Sequence, residues 1–461
     1  MASGRACARK ARQVSCPHSR RETIHDARPA KTHLAGGYAA LATVAGRQRV
    51  SLSIPPCHAK SVTFPFRWSE LRSDCQDRPW LHVVVQVGLG PGPGGDPPSE
   101  MVHRNFFYGG SRRPGEVARG REPRSGVEHE VTGVVHAHTR YSDGRGGLDQ
   151  VAAAARRAGL DFLALADHNS LAARDAAGRH GAMTLLVGTE VSPPGNRDHY
   201  LVFGTEDVPD PNAPPAAVVT AVREAGGFGI VAHPDYGAAP RLRLPAYPWT
   251  DWDAPGIEAF ELWTMLPDLV EGATSAAQVL AALAVPAAAL RGPRPVTLAR
   301  WDRAWAGGRG PVAVGAVDAH GIGLSYARSF ATVRTNLWLA EPLPVDAAAA
   351  TAAVVSALRQ GLAYTVGVHL GDPRPLSFGV GDLGVPQPTV FRPGLIIHVA
   401  AARPALWELW GNGQLLGRRL GRRAAWPLPR PGVYRMVGRR PYLFRWRPWL
   451  FTNQLPVLAP R

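Results

Sequence analysis

From about residue 128, short apolar runs alternate with Ala-rich amphipathic stretches, and this alternation restricts the chain more than any other feature, because it is the pattern of βαβ units that build a parallel sheet. Strands are predicted at Val131 to Val135, Phe162 to Ala166, Thr184 to Val187, Tyr200 to Phe203, Phe228 to Ala232, Ile257 to Leu262 and Val312 to Ala316. Helices are predicted at Leu148 to Ala158, Leu171 to Ala177, Ala213 to Ala225 and Leu269 to Leu283. Gly159 and Gly226-Gly227 follow two of them where a left-handed residue ends the last turn, and Asp346 with the Ala-rich run to Gln360, stopped by Gly361, predicts one more capped helix. Residues 128 to 370 therefore read as an α/β barrel. The pieces Gly394 to Ala400, Ala405 to Trp410, Gly432 to Val437 and Tyr442 to Trp446 make residues 371 to 461 a small β-rich module, with a hairpin turn at Asn412-Gly413. Residues 1 to 127 show no sustained period beyond one candidate strand at Leu81 to Val87, and read as a basic extension with no fold of its own.

The net charge of +16 invites a nucleic-acid reading, but it sits at the ends. Residues 1 to 125 hold 20 Lys and Arg against 9 Asp and Glu, residues 401 to 461 hold 12 against 1, and the stretch between holds 20 against 26. The part with the barrel pattern is acidic, so no specific nucleic-acid binding is expected of it. Cys7, Cys16, Cys57 and Cys75 form no CxxC pair, which leaves neither a zinc knuckle nor a disulfide framework. No apolar run reaches the roughly 20 residues of a spanning helix, and no membrane association is expected. Ser19, Arg20 and Arg21 ahead of the run Leu34 to Gly46 are similar to a twin-arginine export signal; the plainer reading is a cytoplasmic chain.

Polar residues sit where the predicted strands end. Val134-Val135 leads into His136-Ala137-His138, Phe162 to Ala166 into Asp167-His168, Leu185 to Val187 into Gly188-Thr189-Glu190, Ile230 to Ala232 into His233-Pro234, and Val312 to Val317 into Asp318-Ala319-His320. In a parallel barrel the carboxyl ends of the strands converge on one face, so these residues are expected in one cleft. Residues two apart in an extended segment share a side, which lets His136 and His138, or Asp318 and His320, grip one ion. A lone His at a strand end is usually a hydrogen-bonded structural residue. Recurrence at five strand ends is what points to metal, because so many uncompensated polar groups in one cleft cost several kcal/mol without it.

The segment from Glu130 to Gly321 resembles the PHP domain, named for polymerase and histidinol phosphatase. The matching pieces are His-Ala-His with Ser142-Asp143-Gly144, Ala166-Asp167-His168, Gly188-Thr189-Glu190, His199 before an apolar strand, Ala232-His233-Pro234 and Asp318-Ala319-His320. Arg359 to Thr365 and Trp446 to Leu458 resemble the tail of a branch that includes carbaryl-type ester hydrolases. The resemblance implies a distorted (β/α)7 TIM-like barrel with two or three divalent ions (Mn²⁺, Zn²⁺, Fe²⁺ or Mg²⁺). It implies that His136, His138, Glu190 and Asp318 hold one ion, that Glu190 bridges to a second held with His199 and His233, and that Asp143, His168 and His320 hold a third. Asp143 stands where some relatives have histidine, which makes the third site richer in oxygen. Asp167 has two readings, a loop cap or the orienter of a ligand imidazole.

The expected activity is hydrolysis of phosphate mono- or diesters, on a nucleotide or another small phosphorylated molecule, by a metal-bound hydroxide with Glu190 and Asp318 in the catalytic set. Arg328 is a candidate phosphate holder, since its planar fork suits that anion. Trp263, Trp301 and Trp305 are either packing or a lid over the site. Three alternatives remain: a carboxylic or carbamate ester hydrolase on the same metals, a non-catalytic metal-binding module, and a nucleic-acid role for the basic flanks.

Overall fold

The computed structural model describes residues 129–195, 197–238, 245–271 and 275–460, together with the backbone of strands between Gln13 and Tyr108. The chain divides into two compact units, Met1–Gly120 and Arg121–Arg461. In the first, Gln48–Ile54, Tyr38–Val44, Leu81–Leu89 and Met101–Tyr108 lie side by side, in that order, as an antiparallel sheet. The strand expected at Leu81 to Val87 is the third of these; the other three were not expected, although Val50 to Ile54 alternate apolar and serine residues. Ser19 to Arg21 and the four cysteines lie outside the described residues.

In the second unit seven strands close a barrel: β1 (His129–Ala137), β2 (Phe162–His168), β3 (Met183–Val191), β4 (Tyr200–Phe203), β5 (Phe228–Val231), β6 (Ala259–Thr264) and β7 (Val312–Ala319). All neighbours are parallel, including the closing pair β7–β1, except where β4 runs against β3 and β5. The reversal has a simple cause. Only residues 192–199 join β3 to β4, and a parallel crossover needs about a dozen.

The mixed α/β barrel matches expectation, but the regular alternation of a (β/α)7 barrel does not hold. Helices α1 (Leu148–Arg157) and α2 (Pro215–Glu224) form as predicted, and Gly159 and Gly226 beyond them take φ of 68° and 76°. Leu171 to Ala177 makes only a 3₁₀ turn at Arg174–Ala176. Leu269 to Leu283 is broken into α3 (Met265–Glu271) and α4 (Ala276–Ala284), with Ser275 capping the second by accepting from the Gln278 backbone N–H at 3.2 Å. A further helix, α5 (Pro295–Ala304), precedes β7. Among the described residues no helix is long and apolar enough to cross a membrane.

The sheet continues past the barrel. β8 (Val333–Leu339) pairs with the first half of β1, while β7 pairs with the second half. After α6 (Ala347–Arg359), whose cap Asp346 accepts from the Ala349 N–H at 2.8 Å, β9 (Ala363–Gly367) returns along β8. There follow β10 (Leu376–Val380), β11 (Ile396–Gly411), β12 (Gln414–Pro427), β13 (Gly432–Tyr442) and β14 (Arg445–Thr452), and β14 hydrogen-bonds to β9. These strands have a core of their own around Trp407, Trp449, Phe378 and Ile397. The two pieces expected at Gly394 to Ala400 and Ala405 to Trp410 merge into β11, with a register shift between Ala400 and Ala405. Asn412 and Gly413, at φ 49° and 74°, make the predicted β11–β12 turn. The piece expected at Tyr442 to Trp446 is divided between the end of β13 and the start of β14 by a turn at Leu443 and Phe444, with φ of 46° and 63°. Left-handed backbone costs an L side chain roughly 1–2 kcal/mol per residue, which is why an apolar pair there reads as strand.

At the start of β1, the half-buried Glu130 accepts from the Tyr364 hydroxyl at 2.5 Å and from the Leu376 N–H at 3.1 Å, tying barrel to C-terminal strands. Burial pushes its carboxyl up to about 7, even though both hydrogen bonds favour the ionised form. A raised carboxyl pKa means that the folded state binds the proton more tightly, so the stability linked to Glu130 is present below the ordinary carboxylate range and is lost as pH rises to about 7. Glu130→Gln should therefore be more stable than the wild type at about pH 8, by on the order of 2 kcal/mol, and lose that advantage near pH 4 in urea titrations. An advantage independent of pH would show that the Glu130 carboxyl titrates alike in the folded and unfolded chain.

Candidate metal centre

The strand ends bring together all nine residues expected to bind metal. His136 and His138 come from the end of β1 and the step beyond it, Asp143 from the following loop, His168 from β2, Glu190 from β3, His199 from the residue before β4, His233 from just after β5, and Asp318 and His320 from the end of β7. Glu190 lies at the centre. Its Oε2 is 3.3 Å from His136 Nε2, 3.4 Å from His138 Nε2 and 2.9 Å from His168 Nδ1, while Oε1 is 2.8 Å from His199 Nδ1 and 3.3 Å from His233 Nε2. Asp318 Oδ1 sits 3.4 Å from His136 Nε2 and 3.2 Å from His138 Nε2. Asp143 Oδ2, on an exposed side chain, is 3.2 Å from His320 Nε2 and 3.6 Å from His168 Nε2.

These spacings suit a shared cation. Four donor atoms placed tetrahedrally at ordinary metal–ligand lengths lie roughly 3.4 Å from one another. The four histidine–carboxylate separations among His136, His138, Glu190 and Asp318 run from 3.2 to 3.4 Å. Three sets of ligand atoms fall within 4.8 Å of one another: His138, Asp143, His168 and His320; His136, His138 and Asp318; and His168, Glu190 and His199. His138 and His168 each join two sets, so the division into three ion sites is less clean than the spacing in sequence implies.

Unpaired polar atoms make the same point independently. His136 Nε2, both ring nitrogens of His138, Glu190 Oε2, His199 Nε2 and His233 Nδ1 are buried without a hydrogen-bond partner. They are six of the nine such side-chain atoms among the described residues, so the deficit is concentrated here. Each costs roughly 1–3 kcal/mol if nothing satisfies it, and cations in the cluster would satisfy His136 Nε2, His138 Nε2 and Glu190 Oε2, which face one another. The electrostatics also call for positive charge. Burial works against ionising Glu190 and Asp318, yet the imidazoles around them hold both carboxyls well below the usual range. Burial likewise opposes a charged His136, but Glu261, Glu190 and Asp318 outweigh it and raise the ring well above its ordinary value. For His168, Asp143 and Glu190 overcome burial and raise the pKa to about 10.

The backbone is strained at the same place. His136, His233 and Asp318 have φ of 70°, 28° and 53°. A non-glycine residue held there costs on the order of 1–3 kcal/mol and persists only when its surroundings fix it. Here it turns the side chains of three strand ends inward.

Glu261 was not among the predicted site residues. It is 1% exposed; its Oε1 pairs with His136 Nδ1 at 2.6 Å, and its Oε2 accepts from the His233 N–H at 2.8 Å and the Thr264 hydroxyl at 2.6 Å. It fixes which nitrogen of His136 faces the cluster and anchors the strained backbone at His233. A lone carboxylate inside the apolar run Ala259 to Trp263 was the signal in sequence. Asp167 takes the loop-cap role, accepting from the Thr139 N–H and hydroxyl and from the Ser142 hydroxyl at 2.6 to 2.8 Å. Tyr236 and Tyr247, also unpredicted, pair across a two-stranded ribbon, and the Tyr247 ring lies 5.6 Å from that of His199. Arg328 makes no contact with the cluster: it is exposed and donates to the Ala284 carbonyl at 2.7 Å. The tryptophans pack, with Trp263 and Trp301 in the core and Trp301 and Trp305 both donating to the Pro311 carbonyl.

Glu261→Gln should lower metal affinity by about 10- to 100-fold with the fold retained, read by competition with a chromophoric chelator. Unchanged affinity would reduce Glu261 to a packing residue.

The sequence matches no protein-family model and no curated protein. Among solved structures it is similar to a two-domain protein from Bacteroides vulgatus ATCC 8482 containing a predicted PHP-like metal-dependent phosphoesterase, at 13% identity and a TM-score of 0.37 over 74% of this chain and 100% of that one. It is also similar to a candidate metal-dependent phosphoesterase from Bifidobacterium adolescentis ATCC 15703, at 17% identity and a TM-score of 0.25 over 41% and 88%. An amidohydrolase from Chromobacterium violaceum with bound sulfate and no metal gives 17% and 0.24 over 41% and 87%. Likenesses of this size carry no conclusion about activity, which rests on the site.

Proposed function

We propose that this chain is a metal-dependent hydrolase of phosphate mono- or diesters, acting on a nucleotide or another small phosphorylated molecule. The observation that carries the proposal is the gathering of nine ligand-type side chains at one end of the barrel with six buried polar atoms unsatisfied. His136, His138, Glu190 and Asp318 would hold one ion, His199 and His233 with Glu190 a second, and Asp143, His168 and His320 a third. The mixed nitrogen and carboxylate donors suit Mn²⁺, Zn²⁺ or Fe²⁺. Bound divalent ions would supply an activated water nucleophile and offset charge on the phosphoryl oxygens.

The chain's own residues do the positioning. Glu190 presents one oxygen toward His199 and His233 and the other toward His136 and His138, which suits a bridging carboxylate. Glu261 holds His136 with Nε2 inward. Asp143, on the exposed rim, marks the side from which substrate enters. A phosphate-holding role for Arg328 would require it to leave the Ala284 carbonyl, so anion binding falls to the ions. We assign this chemistry to residues 128 to 370, with the strands of 371 to 461 as a supporting module.

With Mn²⁺ added, the full chain should hydrolyse p-nitrophenyl phosphate or bis-p-nitrophenyl phosphate, lose activity on chelation and recover it when metal is returned. His136→Ala and Asp318→Ala should each lower both turnover and metal content, turnover by at least about a hundredfold. A metal-loaded protein inert to both phosphoesters but active on p-nitrophenyl acetate would move the assignment to carboxyl or carbamate esters. Bound metal with no activity on any of the three would leave a metal-binding module.

A further inference from the structure

The two hairpin turns of the C-terminal sheet have the same backbone form and opposite chemistry. In each, both central residues take positive φ: Asn412 and Gly413 at 49° and 74°, Leu443 and Phe444 at 46° and 63°. Asn-Gly is what such a turn selects, since Gly has no Cβ to clash and Asn tolerates the left-handed region. Leu-Phe fails on that count, and it also fails on burial. Leu443 is 62% exposed and Phe444 is 84% exposed, the highest value among the large apolar side chains that protrude from this structure. Neither backbone preference nor burial among the described residues explains a leucine and a phenylalanine at this tip.

The surroundings indicate what does. Tyr442 and Trp446, both half-buried, flank the tip, with Tyr442 opposite Arg445 and Pro441 opposite Trp446 in the β13–β14 register. Arg445 is exposed and has no hydrogen-bond or ion-pair partner among the described residues. On β12 of the same sheet Arg419, Arg422 and Arg423 are exposed with no carboxylate partner among the described residues. From residue 401 onward the only acidic residue is Glu408. It is 1% exposed and already paired with Arg418 and Arg439. The sheet thus offers anions unopposed guanidinium groups and, at one corner, an apolar tip edged by aromatic rings.

We infer that the Leu443–Phe444 tip with the adjacent Arg445 is a docking element for an anionic lipid surface, the tip entering the acyl region while Arg445 and the unopposed arginines of the same sheet meet the headgroups. An anionic surface alone would account for the arginines, but only a partner with an apolar interior gives a protruding Leu-Phe pair somewhere to go. One apolar insertion or one basic patch holds a protein weakly, and the two together hold it stably. This departs from the expectation of no membrane association, which concerned spanning helices. It does not depend on the proposed phosphoesterase activity.

The test is sedimentation of the full chain with phosphatidylcholine vesicles, with and without about one-fifth phosphatidylserine. The wild type should bind the anionic vesicles and leave the neutral ones. Replacing the tip by Leu443→Asn with Phe444→Gly should weaken that binding at least about tenfold while raising the unfolding temperature, because the new pair suits the turn. Arg445→Glu should weaken it too, and added salt should weaken the wild type. The metal content and barrel activity of the tip variant should match those of the wild type. Absence of wild-type binding to anionic vesicles would overturn the inference, as would full binding by the tip variant. Binding of single-stranded DNA that depends on the tip, with no vesicle binding, would assign the surface to nucleic acid. A wild-type dimer that the tip variant breaks, again without vesicle binding, would assign it to a second copy of the chain.

Discussion

The barrel end is organised around one buried carboxylate. Glu190 is 1% exposed and faces His136, His138, His168, His199 and His233 within 3.4 Å. An ionised carboxylate so far from water is tolerated only where positive charge is close. Among the imidazoles around it, His136 and His168 are held protonated by the carboxylates despite their burial and supply part of that charge. Cations would supply the rest and at the same time pair the imidazole nitrogens that face Glu190. The cluster is therefore stable in proportion to what it binds, and folding and metal binding should be linked.

Geometry around Glu190 is enforced from two directions. The backbone at His136, His233 and Asp318 is held at positive φ, and Glu261 fastens two of these residues by pairing with the His136 ring and accepting from the His233 N–H. Glu261 lies on β6, next in the ring to the strands that lead to His233 and Asp318. A site assembled on several strands gains its precision from such cross-links, since no single segment carries enough of the ligand set to fix it alone. Asp167 plays the corresponding part for the loop after His138, gripping Thr139 and Ser142 so that Asp143 reaches His320.

Much of this was legible in sequence because strand ends are legible. All seven barrel strands follow from apolar runs, five of which lead into His, Asp or Glu, and the resemblance added Asp143 and His199 to the cluster. Less legible were features set by partners distant along the chain. The reversal of β4 depends on the length of one connection, and the break between α3 and α4 on a local cap. Glu261 was hidden inside a run read as core, because periodicity reports that a residue faces inward and not what it meets there. Arg328 failed for the converse reason: a chemically suitable side chain near a motif was recruited instead by the Ala284 carbonyl.

What the sequence determined by itself is which groups are available and that they occur at strand ends, where a parallel barrel must collect them, along with the Asn412-Gly413 turn and the Asp346 cap, whose chemistry is local. What only the tertiary structure decided is how the ligands divide, with His138 and His168 each joining two groups, and which residues orient them. It also decided that Leu443 and Phe444 stand out from the sheet at a turn where nothing within the described chain covers them. The physical reason is the same in each case. Composition and period are properties of neighbours in sequence, whereas coordination, orientation and exposure depend on which residues the closed sheet brings within a few ångströms.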